Sequence, residues 1–353
     1  MSTLLSFPAP ALASWADRLG AAGARLVDTG TGLTRVSDFG EPAAEFQAAA
    51  AGAVCCPLFD VAVVALDGAD ATAFLQGQFT NDVAALDVGA VQWSGWCSPK
   101  GRLLANFPLA RVAADAYRMF VPADIAPSIV KRLRMFVLRS KVAVSRLEDV
   151  ATIGLHGLPG ALASQVKSAA GGFVVGLADG RELRVVATGD AERAWDELAG
   201  QATPVGSGAW DWLGIRAGIP VITASTQDRF VPQMLYWELH GVNFRKGCYP
   251  GQEIVARMQY RGRPKERLYR ARVAVARAPA AGDALYAATF GDQTCGTVVN
   301  AVAVPGIGAE MLAVVQSAAA ADAVHLTPDR SGPALQLLAL PYPVPDPAST
   351  GPS

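Results

Sequence analysis

The sequence predicts an α+β protein whose last third is all strand, and three observations carry that prediction. Amphipathic runs and short alternating apolar runs follow one another without strict alternation, which argues against a doubly wound parallel sheet. From about residue 266 to 342 the runs are short, apolar and broken by Gly and Pro, the pattern of a small antiparallel barrel or sandwich. The 353 residues, 51% hydrophobic and 17% charged, suffice for two or three domains with their own cores.

Residues 1–55 read as an N-terminal helical segment packing on the core. Its two helices, ALASWADRLGAAG and EPAAEFQAAAAG, flank a loop whose GTG lacks the third glycine and preceding strand of a dinucleotide fingerprint. Residues 56–150 form a first α+β subdomain that opens with the strand VAVVAL. DGADATAFLQGQFTND then turns at Asp67-Gly68 into a short helix capped by Asp70. QWSGWC and RLLANFPLARV are strands about a hairpin at Ser98-Pro99-Lys100-Gly101, followed by the strand AYRMFV, the helix IAPSIVKRLRMFVL and the strand KVAVSRL. Residues 151–265 repeat this grammar with the strand ATIGLHG, the helix GALASQVKSA, the strand RELRVVAT and the helix DAERAWDELAG. GAWDWLGIRAGIPVI is a further helix that ends at Gly218 and Pro220. In 266–342, LYRARVAVARA, ALYAA, CGTVVNAVAV, MLAVVQSA, AVHL and ALQLLAL are the strands. The tail 343–353, PVPDPASTGPS, is too rich in Pro and Ser to pack and is expected to be disordered.

A formal charge of -1 gives no global reason to expect direct nucleic-acid or membrane binding. The start, MSTLLSFPAP, lacks a basic n-region and a continuous apolar core, and no run approaches the roughly 18 apolar residues of a membrane span. Five scattered cysteines do not form a disulfide framework, so a reducing cytoplasm is the expected compartment. No C-x-x-C pair or Cys/His cluster appears, and no metal site is expected.

Chemistry concentrates in Arg245-Lys246-Gly247-Cys248-Tyr249-Pro250-Gly251-Gln252-Glu253. Pro250 and Gly251 mark a turn, and Ile254, Val255 and Met258 have the spacing of a short amphipathic helix. A thiol at a helix entrance, beside Arg245 and Lys246, is placed where backbone amides and cations favour the thiolate. Such a Cys248 attacks an electrophile, binds a soft metal or exchanges disulfides; the bland alternative is a small buried hydrophobe. Gln252 and Glu253 either orient the loop by hydrogen bonds or complement the helix dipole. Nine basic residues stand between Arg245 and Arg272 against only Glu253 and Glu266, enough to hold an anionic ligand or an acidic partner unless they are simply solvated.

KGCYPGQE, with VARMQYRG after it and FVPQM upstream, resembles the signature of the YgfZ branch of the folate-binding glycine cleavage T-protein superfamily. DGADATAFLQGQFTNDV and WLGIRAGIPVI resemble the family's other two motifs, in the right order, so that the likeness spans about 57 to 342. The resemblance implies two related α+β, ferredoxin-like subdomains and a C-terminal antiparallel β-barrel around a central cavity that binds tetrahydrofolate. It also implies a role in assembling or repairing iron-sulfur clusters, including those of tRNA-modifying enzymes. The motif cysteine is required, and iron-sulfur enzymes or assembly factors are the partners. Trp210 matches the aromatic near the pterin, where flat rings gain from stacking. Gln78, Asn81 and Gln233 fall at motif positions assigned to the cavity, with Arg261 as a further folate contact.

Two departures bear on activity. Aminomethyltransferases of the superfamily carry an acidic pair after the K-G hairpin, where this chain has Ala105 and Asn106, and a neutral pair cannot relay a proton as a carboxylate does. Where a Glu often precedes the AG of the central motif stands Arg216, which cannot accept hydrogen bonds from a pterin. The alternative to the iron-sulfur reading is a folate-dependent one-carbon transferase. Further readings are a cysteine hydrolase using His240 and a noncatalytic scaffold with a basic docking face.

Overall fold

The computed structural model describes residues 10–29, 33–262 and 264–345. The GTG loop, Arg263 and the tail from 346 lie outside the described residues. The chain divides into two units that interleave in sequence, the first from 1–75, 83–93 and 107–210, the second from 76–82, 94–106 and 211–353.

In the first unit the helices Pro10–Ala21 and Pro42–Ala51 form where the sequence predicts them. Pro42 stands in the first turn, where a missing N–H costs nothing, and Gly52 ends the helix. Arg25–Asp28 and Thr34–Asp38, read from sequence as part of a loop, pair as an antiparallel ribbon too short to carry a periodic signal. A six-stranded sheet has the order Val166–Ala169, Gly172–Gly176, Arg181–Ala187, Val150–His156, Val54–Pro57, Thr203–Pro204, antiparallel except for the last pair. Trp15, Leu19, Cys55, Ile153, Leu155 and Trp195 form the core beneath it.

One element differs in kind: the helix expected over GALASQVKSA is absent, and Val166–Ala169 is a strand. Gly171 sits at φ +72°, and a Cβ on Gly172 would lie 2.0 Å from the carbonyl oxygen of Val185. Those two glycines turn the chain straight back into Gly172–Gly176, and the resulting ladder satisfies the backbone groups that a helix would have paired internally.

A five-stranded sheet has the order Val91–Cys97, Leu103–Ala113, Ala116–Pro122, Val61–Asp67, Ala143–Arg146, and the helix Ala126–Val137 packs on Ala143–Arg146. The helix after Asp67-Gly68 spans Ala71–Gln76, with Asp70 using a carboxylate oxygen to accept the Lys141 N–H at 2.7 Å.

In the second unit a six-stranded antiparallel sheet occupies the expected C-terminal region, in the order Val324–His325, Ala284–Ala287, Thr294–Val304, Gly308–Gln316, Glu266–Val273, Gln336–Leu338. The end strands each pair with one neighbour, and Leu285, Val298, Met311 and Ala313 lie in its core. The helix Ser207–Arg216, of which residues 211–216 belong to this unit, stops ahead of Gly218, whose φ of +68° turns the chain and whose carbonyl accepts the Tyr342 hydroxyl at 2.9 Å. No helix among the described residues is long and apolar enough to cross a membrane.

Candidate functional site

The cysteine segment is an irregular loop that leads into the helix Gln252–Arg261, with Gly251 as its N-cap at φ 79°. It rests on the hairpin at residues 98–101, which is closed by the Ser98 N–H to the Arg102 carbonyl (2.8 Å) and the Gly101 N–H to the Ser98 carbonyl (2.9 Å). A Cβ on Gly251 would lie 2.4 Å from the Ser98 oxygen and 2.7 Å from the Gly101 backbone. Conversely, a Cβ on Gly101, itself at φ +69°, would lie 2.8 Å from Ile254 Cβ. Loop and hairpin therefore meet backbone to backbone, an approach only glycine permits. Ser98 donates its hydroxyl to Asp228 at 2.6 Å, which ties the hairpin to the segment preceding Phe230.

Side chains of the loop divide between inside and outside. Lys246 is 8% exposed and donates its ammonium to the carbonyls of Gln76 and Phe79, with the Tyr249 ring centroid 5.2 Å away. Burial pulls its pKa down to about 8, against an opposing pull from Asp82. In place of the expected role of holding Cys248 as thiolate, the Lys246 ammonium is committed to two buried carbonyls and anchors the loop. Tyr249 is buried, and that burial pushes its hydroxyl pKa up. Arg245, Gly247 and Cys248 are exposed, and the Arg245 N–H donates to the Asn243 side chain at 2.8 Å. Cys248 precedes the helix by a tight turn, in which the Gln252 N–H reaches back to the Tyr249 carbonyl at 3.2 Å, so it does not cap it. Glu253 stands exposed in the first helical turn, where a carboxylate complements the dipole. Only Val255 of this helix is buried, and Ile254 is 37% exposed, so the apolar stripe is narrower than its spacing suggested. The other four cysteines are buried.

The residues assigned to a folate cavity fare differently from one another. In the second unit, Gln233 is 1% exposed and donates its amide to the Val255 carbonyl at 2.9 Å, while its side-chain oxygen has no partner among the described residues. Gln78 likewise keeps a buried, unpartnered amide oxygen. Asn81 turns its side-chain oxygen to the Asp82 N–H at 2.8 Å, and Arg261 is exposed at the helix end. In the first unit, Trp210 is 6% exposed; the Arg181 guanidinium lies 5.0 Å from its ring, and a Cβ on Gly154 would be 2.7 Å from its six-membered ring. Its ring is thus packed against Arg181 and Gly154 from within its own unit.

Asn106 explains the missing acidic pair. It is 5% exposed, donates its amide to the Pro220 carbonyl at 2.7 Å and accepts the Ile222 N–H at 2.9 Å. A carboxylate could accept but not donate, so this position requires the amide. Arg216 is exposed and lies 4.7 Å from the Trp212 ring, whose N–H donates to the buried Glu310 at 3.0 Å. His240 packs edge-on against Tyr342 at 4.8 Å. No group of three or more His, Cys, Asp or Glu residues placed to hold a metal occurs among the described residues.

Sequence reasoning missed the seat itself. Ser98 and Gly101 read only as a turn, although a Gly there and a Gly in the later motif were available signals. Glu238, which pairs with Arg267 at 3.0 Å and is pushed up to about 7 by burial, gave no sequence signal at all.

Residues 15–166 match the model of the GCVT N-terminal domain. The tRNA-modifying protein YgfZ of Sodalis glossinidius (strain morsitans) is 31% identical over 308 residues, covering 81% of this chain and 92% of that protein. The tRNA-modifying protein YgfZ of Yersinia pseudotuberculosis serotype O:1b (strain IP 31758) is 31% identical over 307 residues, covering 81% and 91%. Among solved structures, the glycine cleavage system aminomethyltransferase T from Bartonella henselae superposes with a TM-score of 0.79 at 19% identity, covering 96% of this chain and 98% of that one. That likeness is one of fold.

Proposed function

The chain belongs to the family of the tRNA-modifying proteins YgfZ, and from that premise we propose that it binds a reduced folate and supports the iron-sulfur enzymes that modify tRNA, with Cys248 as its working thiol. The observation that carries this reading is the division within one loop: Lys246 and Tyr249 are buried as anchors, and Cys248 alone of the five cysteines is presented to solvent. An exposed thiol on a fixed seat can be met by a protein-bound persulfide, an iron ion or an electrophilic carbon, whereas the buried ones cannot. The partners are iron-sulfur enzymes or their assembly factors, in the cytoplasm.

Gln78 and Gln233 are the residues that fit the folate. Each keeps a buried acceptor oxygen without a partner among the described residues, and the amino and amide N–H groups of a pterin are donors in need of one. When bound, a reduced folate supplies a carrier for one-carbon units. Aminomethyl transfer itself is disfavoured, because Ala105 has no polar group and the Asn106 amide, engaged by Pro220 and Ile222, is neutral and cannot relay a proton as a carboxylate does.

The test is the activity of a four-iron tRNA-modifying enzyme in cells lacking this gene and supplied with wild type or Cys248→Ser. Restoration by wild type only is expected. Equal restoration by both would overturn the role of the thiol, and restoration by neither would overturn the iron-sulfur reading.

A further inference from the structure

We propose that the surface surrounding Cys248 is a docking site for an acidic protein segment with apolar side chains among its carboxylates. The inference deepens the reading of Cys248 as the working thiol by naming what approaches it. Four cations, Lys100, Arg245, Arg257 and Arg261, are exposed there. Their proximity follows from contacts already described and one more. Phe244 meets Tyr260 edge-on at 6.1 Å, which sets Arg245 beside the end of the helix Gln252–Arg261. Arg257 and Arg261 are one helical turn apart on a single face. Lys100 occupies the hairpin turn next to Gly101, which abuts Ile254. None of the four takes part in an ion pair among the described residues.

Between the cations lie two apolar side chains that the fold leaves uncovered, Tyr260 at 69% and Ile254 at 37% exposure. Arginine with tyrosine around an apolar centre is the composition of protein-binding hot spots. A site for single-stranded RNA would instead present several aromatic platforms along a continuous basic track, on a basic protein. Here Tyr260 is the exposed aromatic, its apolar companion is aliphatic, and the chain has a pI near 6.3. Against these four cations the helix Gln252–Arg261 exposes one carboxylate, Glu253, so the balance around Cys248 is positive and favours an acidic partner at this place. Gly247 has nothing within 4 Å of where a Cβ would stand, which leaves room for that partner to approach the sulfur.

The experiment is fluorescence anisotropy with a fluorescein-labelled peptide of Asp and Glu interspersed with Leu and Phe, in about 0.1 M salt. Saturable binding is expected, weakened about tenfold or more in the Arg257→Glu/Arg261→Glu double variant and severalfold in Tyr260→Ala. Unchanged melting curves would confirm that these exposed substitutions leave the fold intact. Cys248→Ser is expected to bind as wild type does. Equal binding of a matched peptide with Lys in place of the acids, or affinity untouched by the charge reversals, would overturn the proposal. Tighter binding of oligouridylate that the same reversals abolish would overturn the partner class in favour of RNA. Because docking is read without the thiol, peptide binding that stands while Cys248→Ser restores cellular activity would refute the thiol and keep the surface. The opposite pair of results would do the reverse.

Discussion

The strand Val54–Pro57 and the loop Arg245–Gly251 both carry cysteine within two residues of a proline, and they put it to opposite uses. The strand lies between Val150–His156 and Thr203–Pro204, so its backbone is paired on both edges and all four of its residues are buried. Burial pushes the Cys55 thiol up to about 12, and the Cys56 sulfur is turned to the Pro57 carbonyl at 3.7 Å. The loop has no ladder to satisfy. Its inward side chains, Lys246 and Tyr249, alternate with outward ones, and Cys248 is among the latter. The backbone's hydrogen-bonding demands decide which thiol chemistry can reach, and neighbouring charge in the sequence does not.

Thiol labelling breaks this comparison most directly. Under native conditions a disulfide reagent should modify Cys248 about a thousandfold or more faster than Cys55, Cys56, Cys97 or Cys295, which wait on opening of the fold. Native labelling that persists in Cys248→Ser would show that the strand cysteines are not sealed.

The two loop glycines sharpen it next. Gly251→Ala meets a carbonyl at 2.4 Å at a positive φ and should lower stability by about 2–4 kcal/mol in urea unfolding. Gly247→Ala enters open space and should change it by less than about 0.5 kcal/mol. Equal effects would mean that the hairpin is not the seat of the loop.

Lys246→Met should cost about 2 kcal/mol at neutral pH by leaving the Gln76 and Phe79 carbonyls without their donor. It also has a pH signature. The folded pKa, about 8, lies below the ordinary 10.5, so between those values the unfolded chain holds more protons and stability rises with pH. Urea midpoints across that window should rise more in wild type than in Lys246→Met; parallel curves would remove the buried-cation account.

Asn106→Asp carries a smaller expected cost than Lys246→Met, about 1–2 kcal/mol, from the lost donation to Pro220 and the new charge beside its carbonyl. Stability unchanged by that substitution would reopen the position to a carboxylate, and with it the transferase reading.

Periodicity reached much of this architecture, because long amphipathic and alternating runs declare themselves locally. The turn at Pro250-Gly251, the helix after it and the hairpin at 98–101 were all legible. The ribbon Arg25–Asp28 with Thr34–Asp38 was not, since strands of four and five residues hold too few positions to show a period. Val166–Ala169 was misread because two glycines beyond the segment, not its own composition, decided its state. At the site, residue types pointed to Cys248, while the direction of Lys246 depended on carbonyls about 170 positions away in sequence. The packing of Trp210 has the same explanation: Arg181 and Gly154 meet its ring, and neither is its neighbour in the chain.

The contact between Gly101 and Gly251 has a bearing on descent. Each already lacks a Cβ because of the other's backbone or its neighbour's side chain, so neither can be replaced by a residue that its partner then accommodates. Compensating change, the usual route by which packed pairs drift, is closed to this one. Lineages should therefore keep both glycines or lose both, and a descendant that has shed the hairpin glycine should also have abandoned the thiol loop resting on it.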